Sequence, residues 1–219
     1  TVSQVPGMDS RFVMLNDEEK EKTYSEATAR ARGELGYPEP TAEGLFFTDT
    51  YHFPRGTTDK EFLQRAYQRL QTVLNEEWAA RAEALPYQTP YEALTMASIV
   101  EKETGLASER ETIAGVFVRR LQKNMKLQTD PTVIYAMGKT VNGNIRKKDL
   151  SIDSPYNTYR YRGLPPSPIA LAGREAIHAA LHPEDGKALY FVSKGDGSHH
   201  FSETLQEHNR AVAKYQLKR

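Results

Sequence analysis

A helix-rich α+β fold closed by a C-terminal β-hairpin is the architecture the apolar pattern predicts, and three observations predict it. Apolar stripes recur at helical spacing, as in Phe62, Ala66, Leu70, Val73, Leu74 and Trp78. The apolar run Ala188-Leu189-Tyr190-Phe191-Val192 faces His199-His200-Phe201 across Gly195-Asp196-Gly197, a hairpin signal. Residues 44–54 are aromatic and β-branched and read as one or two short strands turned by Pro54-Arg55-Gly56. Pro86 and Pro90 bracket a short linker, which divides the chain into a leading subdomain, residues 1–87, and a main domain, residues 88–219.

Taken in order, residues 1–16 have no clear period. Residues 17–35 are rich in Glu, Lys, Arg and Ala and predict a solvated helix ended by Gly36 and Pro38. In the next segment Phe46, Phe47 and Phe53 read as core, while Asp49, inside an apolar strand, needs a partner. Thr58 opens the long helix with Glu61 as the second half of a capping box. A second helix ends at Gly105, expected to stop it in the left-handed conformation. Ser108 and Glu111 then form another capping box, with Ile113, Val116, Phe117 and Leu121 on the buried face. Met125 to Thr129 is extended. Asp130-Pro131 reads as an N-cap followed by proline at the first helical position, and Gly138 closes that brief helix. Asn142-Gly143 is a turn. An alanine-rich helix covers about 171–181, and a last helix, capped by Thr204 with Glu207, carries Leu205, Val212 and Tyr215 inward.

Composition limits the function classes. The 219 residues are enough for a real core. The 29 basic and 29 acidic residues cancel, which disfavours a nucleic-acid groove or an acidic-membrane patch. With no cysteine there are no disulfides and no thiolate metal sites. No run of 18 apolar residues spans a bilayer, and Thr1 begins the chain without a signal-peptide pattern, so any anchor is expected upstream of it.

Glu103 is the residue whose placement asks for an explanation. At about 100° per residue it falls among Met96, Ile99 and Val100, on the apolar face, while Glu101 is turned about 160–200° away. Glu103 also lies in the last helical turn, where the helix dipole disfavours an anion. Apolar surroundings and that dipole both raise a carboxyl pKa, the setting of a general acid. The alternative is a frayed surface glutamate reaching past the helix end into water, and the wheel alone leaves the two balanced.

A second stretch, Ser154 to Pro168, places Tyr156, Asn157, Tyr159 and Tyr161 before a loop stiffened by Pro165, Pro166 and Pro168. Aromatic faces beside amide and hydroxyl groups suit a sugar ring, and proline reduces the entropy lost on ordering. A proline-rich connector with half-buried tyrosines is the other reading. Other chemistries find no support. His178 and His182 stand at i, i+4, but residue 179 is Ala and not the glutamate of a zinc-protease helix, so a surface pair is expected. His199, His200 and His208 lack metal-ligand spacing, and neither a phosphate-binding glycine loop nor a nucleophile elbow is present. No metal and no cofactor are expected.

Five blocks in order across residues 44–212 then show a joint pattern. They are Met96-Ala97-Ser98-Ile99-Val100-Glu101-Lys102-Glu103, Leu127 to Tyr135, Tyr156-Asn157-Thr158-Tyr159, Gly163-Leu164-Pro165-Pro166, and His200-Phe201-Ser202 with His208-Asn209. In these the chain closely resembles the endolytic murein transglycosylase family (MltG/YceG). The family usually has proline where Thr48 stands, a departure that loosens a turn. The resemblance implies a lyase that cuts peptidoglycan glycan strands between N-acetylmuramic acid and N-acetylglucosamine and leaves 1,6-anhydro ends. It implies a single-pass anchor in the bacterial inner membrane, a LysM-like module, and a catalytic part in the periplasm. Peptidoglycan synthases are the protein partners it points to.

The family's catalytic glutamate lies in the Glu-Lys-Glu block and is carried to Glu103, because Glu103-Thr104 is similar to the Glu-Ser pair of other lytic transglycosylases. Tyr156, Asn157 and Tyr159 are expected to hold the substrate's N-acetyl group or orient the glutamate. Gln128 and Thr129 are expected to line the cleft, with Asp130 as a further substrate-binding candidate beside its capping role. Two rivals stand against this reading. One is a muramidase-type hydrolase pairing Glu103 with Asp130 or Asp153, and the other is a non-catalytic peptidoglycan-binding scaffold.

Overall fold

A computed structural model describes residues 41–138 and 145–217, so the helix expected over 17–35 and the Asn142-Gly143 turn lie outside the described residues. Within them stand six α-helices and one two-stranded antiparallel sheet, an α+β arrangement. The helices are α1 (Asp59–Ala79), α2 (Pro90–Glu103), α3 (Arg110–Gln122), α4 (Asp130–Met137), α5 (Arg174–Leu181) and α6 (Leu205–Tyr215). The strands β1 (Tyr190–Ser193) and β2 (His199–Ser202) lie between α5 and α6. No helix among the described residues is long and apolar enough to cross a membrane.

The centre of the fold is α2. Thr89 caps it, its side chain accepting from Glu92 N, and Pro90 supplies a preformed first turn. Every residue from Ala93 to Val100 is buried, so this stretch of the helix has core on all sides, and only its ends reach water. Its most extensive partner is α5, whose Ala176, Ala179 and Ala180 are as small as Ala93, Ala97 and Ser98 of α2, which lets the two axes approach closely. Leu94, Met96 and Ile99 are at most 1% exposed, and truncating any of them to Ala is worth about 2–5 kcal/mol. The same hydrophobic cluster takes in Leu45, Phe46 and Phe47 and the Leu63, Ala66, Leu70, Val73, Leu74 face of α1.

Several local signals held. Thr58–Glu61 and Thr204–Glu207 are both reciprocal capping boxes. The hairpin forms in the register Tyr190↔Ser202, Phe191↔Phe201, Val192↔His200, Ser193↔His199. Its Phe191 meets Phe117 of α3 edge-on at 5.7 Å, which seats the sheet on that helix.

Several expectations need correction. Residues 44–54 form no strand: Phe46 and Phe47 reach the core from an irregular segment, and Asp49 is exposed, accepting from Thr50 N at 2.8 Å. The α2 helix is not closed by a left-handed Gly105. Thr104 leaves in an extended conformation (φ −140°, ψ 134°), and its hydroxyl accepts from Leu106 N. Ser108 caps nothing: a 3₁₀ turn, Ala107–Glu109, leads directly into α3, so the Ser108–Glu111 box does not form. The alanine-rich helix begins at Arg174, not near 171. Leu205 is 55% exposed, and Ala211 takes the buried place on α6.

Two glycines are required by close approach. Gly44 sits at φ +78°, and a Cβ there would lie 2.4 Å from Pro168 Cβ, so this backbone is pressed against the proline-rich loop. A Cβ on Gly115 would lie 2.5 Å from Glu184 O, where α3 meets the segment after α5.

Candidate active site

The last turn of α2 carries two carboxylates with different surroundings. Glu101 Oε2 accepts from Gly173 N at 3.1 Å, at the N-terminal end of α5. A helix N-terminus favours an anion, so Glu101 has a structural task tying α2 to α5. Glu103 points elsewhere and keeps a partial opening to solvent. Burial pushes its carboxyl pKa up, the Thr129 hydrogen bond opposes this, the Asp130 charge adds to it, and His199 opposes it. The net direction is upward, toward a carboxyl that holds its proton at higher pH than an ordinary glutamate.

Thr129 is the group that fixes Glu103. Its Oγ1 donates to Glu103 Oε2 at 2.5 Å, which leaves Oε1 to carry the proton of the neutral acid. Thr129 is itself held by a buried threonine network. Thr129 N donates to Thr158 Oγ1 at 3.1 Å, Thr132 Oγ1 donates to Thr129 O at 2.8 Å, and the Thr132 and Thr158 hydroxyls meet at 2.8 Å. All three threonines are at most 2% exposed.

The loop that supplies Thr158 is organised by Asn157. Its Nδ2 donates to Leu150 O and Ile152 O at 3.0 and 2.8 Å, and its Oδ1 accepts from Tyr159 N. With 0% exposure and both ends of its amide engaged, Asn157 shapes the loop from within. Tyr156 OH meets Ser167 Oγ at 2.6 Å, and its ring stands 4.7 Å from that of Tyr135, so it links the loop to the proline-rich segment. That segment is fastened in turn to α2, where Ser98 Oγ accepts from Ile169 N at 2.9 Å.

Half-buried Tyr159 and exposed Asp130 form the rim. Tyr159 OH donates to Asp130 Oδ1 at 2.6 Å. Burial raises the Tyr159 pKa, and its hydrogen bond to Asp130 and the charges of Asp130 and Glu103 add to the rise, so the phenol stays a donor. The expected N-cap role of Asp130 is not what the structure shows. Thr129 occupies the N-cap position, Asp130 is the first helical residue, and its carboxylate is exposed and turned to Tyr159. Gln128 stands just before, exposed and at φ +52°, an uncommon conformation for a non-glycine residue, with its N–H donating to Thr158 O. Buried Arg120 anchors this segment from below. Its Nη1 donates to Lys126 O and Leu127 O, and its Nε to Leu189 O of the hairpin arm.

One pair escaped the sequence reading. His199 Nδ1 lies 2.7 Å from Glu109 Oε2, and His199 N donates to Glu109 Oε1 at 3.0 Å. The hairpin thus brings an imidazole near Glu103, oriented by a carboxylate from the start of α3. The partners are separated by 90 residues, and no local spacing signals their meeting. Asp153, the other carboxylate weighed for a hydrolase, accepts from Tyr161 OH at 2.5 Å and pairs with Arg160 on the surface.

The arrangement is a buried acid with one oxygen fixed, a second oxygen available, and a tyrosine and a carboxylate on the rim. It can donate a proton to a leaving oxygen and take one back. Comparison with known proteins gives a consistent background. A model of the YceG-like family matches residues 4–214. An endolytic murein transglycosylase of Bacillus subtilis is 43% identical over 173 residues, covering 79% of this chain and 48% of that protein. An endolytic murein transglycosylase of Streptococcus pneumoniae is 33% identical over 180 residues, covering 79% of this chain and 32% of that protein. The crystal structure of a YceG-like protein from Listeria monocytogenes superposes with a TM-score of 0.73 at 34% identity, covering 90% of this chain and 68% of that one. The chain thus spans about half, or less, of the length of the two transglycosylases it matches.

Proposed function

Because the chain belongs to the YceG-like family, we propose that it is the catalytic portion of an endolytic peptidoglycan lytic transglycosylase with Glu103 as its acid and base. The observation that carries this is the Glu103 carboxyl, desolvated and held through one oxygen by Thr129. Protonated Glu103 gives its proton to the glycosidic oxygen between N-acetylmuramic acid and N-acetylglucosamine as the bond to the muramic C1 breaks. The carboxylate left behind takes the proton of the same sugar's C6 hydroxyl, whose oxygen closes on C1 to form the 1,6-anhydro ring. One proton leaves and one returns, so the enzyme ends as it began. A raised pKa serves the first step, and a water-poor site favours internal attack over hydrolysis.

Around Glu103 the other residues take graded roles. Thr129 positions the acid, while Tyr159, Asp130 and Gln128 on the rim meet the sugar. Asn157 and Tyr156 hold the loop that carries Thr158 and Tyr159. Anchoring in the inner membrane, a periplasmic catalytic portion, a role in terminating or trimming nascent strands, and contact with peptidoglycan synthases extend the same reading.

The proximity of Asp130 to Glu103 favours one alternative, a hydrolase in which Asp130 activates water. Incubating the protein with purified glycan strands and weighing the products by mass spectrometry separates the two. Anhydro-muramic ends are expected. Reducing ends in their place assign the site to a hydrolase, and strand binding without turnover assigns it to a scaffold.

A further inference from the structure

Away from Glu103, helices α1 and α5 bring three metal-ligating side chains together. Glu77 of α1 meets His178 of α5 and His182 just beyond its end, the first histidine lying 101 residues downstream. Glu77 Oε2 is 2.8 Å from His178 Nδ1 and 3.8 Å from His182 Nε2. The three ligand atoms all lie within 4.8 Å of one another. Zinc holds nitrogen and oxygen donors at about 2.0–2.2 Å, which places the corners of its tetrahedron about 3.3 Å apart. The two separations from Glu77 straddle that spacing.

Two further observations point to a missing partner. His182 Nε2 is buried and makes no hydrogen bond, since Glu77 at 3.8 Å is beyond reach. An imidazole nitrogen left so is costly unless something binds it. Glu77 is also buried, at 8% exposure, and its carboxylate is already oriented. Arg174 Nη1 donates to Oε1 at 3.0 Å, which leaves Oε2 turned to the histidines. A ligating carboxylate hydrogen-bonded through its second oxygen is the usual outer-shell arrangement. A pocket of about 300 Å³, lined by Glu77, Arg110, Arg174 and His178 among others, adjoins the cluster and gives a metal ion a way in.

We propose that Glu77, His178 and His182 bind one zinc-class divalent cation that clips α1 to α5, with water from the adjoining pocket as the remaining ligand. The missing i+1 glutamate of a zinc protease is no obstacle to such a site, because that residue does chemistry and the third ligand here comes from another helix. The clip shares no residue with the Glu103 site, and its role is structural.

The test uses the full chain, free of any affinity tag and treated with chelator. Zinc titration by calorimetry is expected to give one site per chain. A zinc concentration a hundredfold above Kd is expected to raise Tm by about 5–10 °C. His178→Ala, at a half-exposed position, and His182→Ala are each expected to abolish both effects, while His200→Ala keeps them. Cobalt(II) bound to the unaltered protein is expected to show the intense visible absorption of a four- or five-coordinate site, a readout that needs no variant to fold. Absence of a zinc-dependent Tm rise overturns the proposal, as does a rise that survives both histidine substitutions.

Discussion

Thr129 Oγ1 donates to Glu103 Oε2 at 2.5 Å, and this contact joins two segments 26 residues apart into one acid site. A hydroxyl donor favours the ionised carboxylate, so it works against the burial that favours the neutral acid. Removing it with Thr129→Val moves the Glu103 pKa further up. The alkaline limb of kcat/KM, where the acid is lost, then shifts to higher pH. Because the carboxyl also loses its orientation, kcat falls by on the order of 10- to 100-fold. A pH–rate profile of anhydro-product formation measures both.

Asp130 and His199 act on Glu103 with opposite signs. Asp130→Asn removes a negative neighbour, lowers the Glu103 pKa and moves the alkaline limb to lower pH. His199→Gln removes a group that, when charged, favours the carboxylate, and moves the limb to higher pH. Opposite shifts in two profiles recorded side by side check the electrostatic account. Equal or parallel shifts contradict it.

Stability carries a separate sign. The Glu103 pKa is raised in the folded chain, so the folded state binds more protons than the unfolded one. Its contribution to stability is therefore lost as pH rises from the ordinary carboxyl range through the raised value. Replacing it with a neutral isostere removes that cost. Glu103→Gln is expected to melt higher than the parent at pH 7 and level with it below the ordinary carboxyl pKa, as measured by Tm against pH.

Gly44→Ala tests the seat of the proline-rich loop. The new Cβ is placed 2.4 Å from Pro168 Cβ at φ +78° and costs about 1–3 kcal/mol of stability. Denaturant unfolding reads this directly. The strain enters beside Ser167, the partner of Tyr156, so the expected loss of turnover exceeds what a remote core substitution of equal cost produces.

Most short-range features were legible, the Ser108–Glu111 box being an exception, and long-range ones were not. The Thr58–Glu61 and Thr204–Glu207 boxes and the Gly195–Gly197 hairpin depend on neighbours a few residues apart, and all three form. The misreadings are of two physical kinds. At helix ends the stop differed: Thr104 becomes extended, while staying buried, where Gly105 had been expected to close α2, and the N-cap beside Asp130 shifted by one residue to Thr129. In residues 44–54 aromatic composition suggested strands, but no partner strand exists among the described residues, and the aromatics pack individually. At the candidate site, helical periodicity correctly set Glu103 and Glu101 on different sides of α2. It could not foresee that Glu101 meets Gly173, that His199 meets Glu109, or that Glu77 completes the His178–His182 pair, because these contacts span 72, 90 and 101 residues.

The central claim is that Glu103, and not Glu101, performs the chemistry. The most direct measurement is the yield of anhydro-muramic ends from purified glycan strands with Glu103→Gln and Glu101→Gln, each confirmed folded by its melting curve. Glu103→Gln is expected to lose about 10²- to 10⁴-fold in rate, the usual worth of a general acid–base group. Glu101→Gln, which keeps an oxygen to accept from Gly173 N, is expected to retain most of its activity. Full anhydro-product formation by Glu103→Gln, with its loss in Glu101→Gln, contradicts the account.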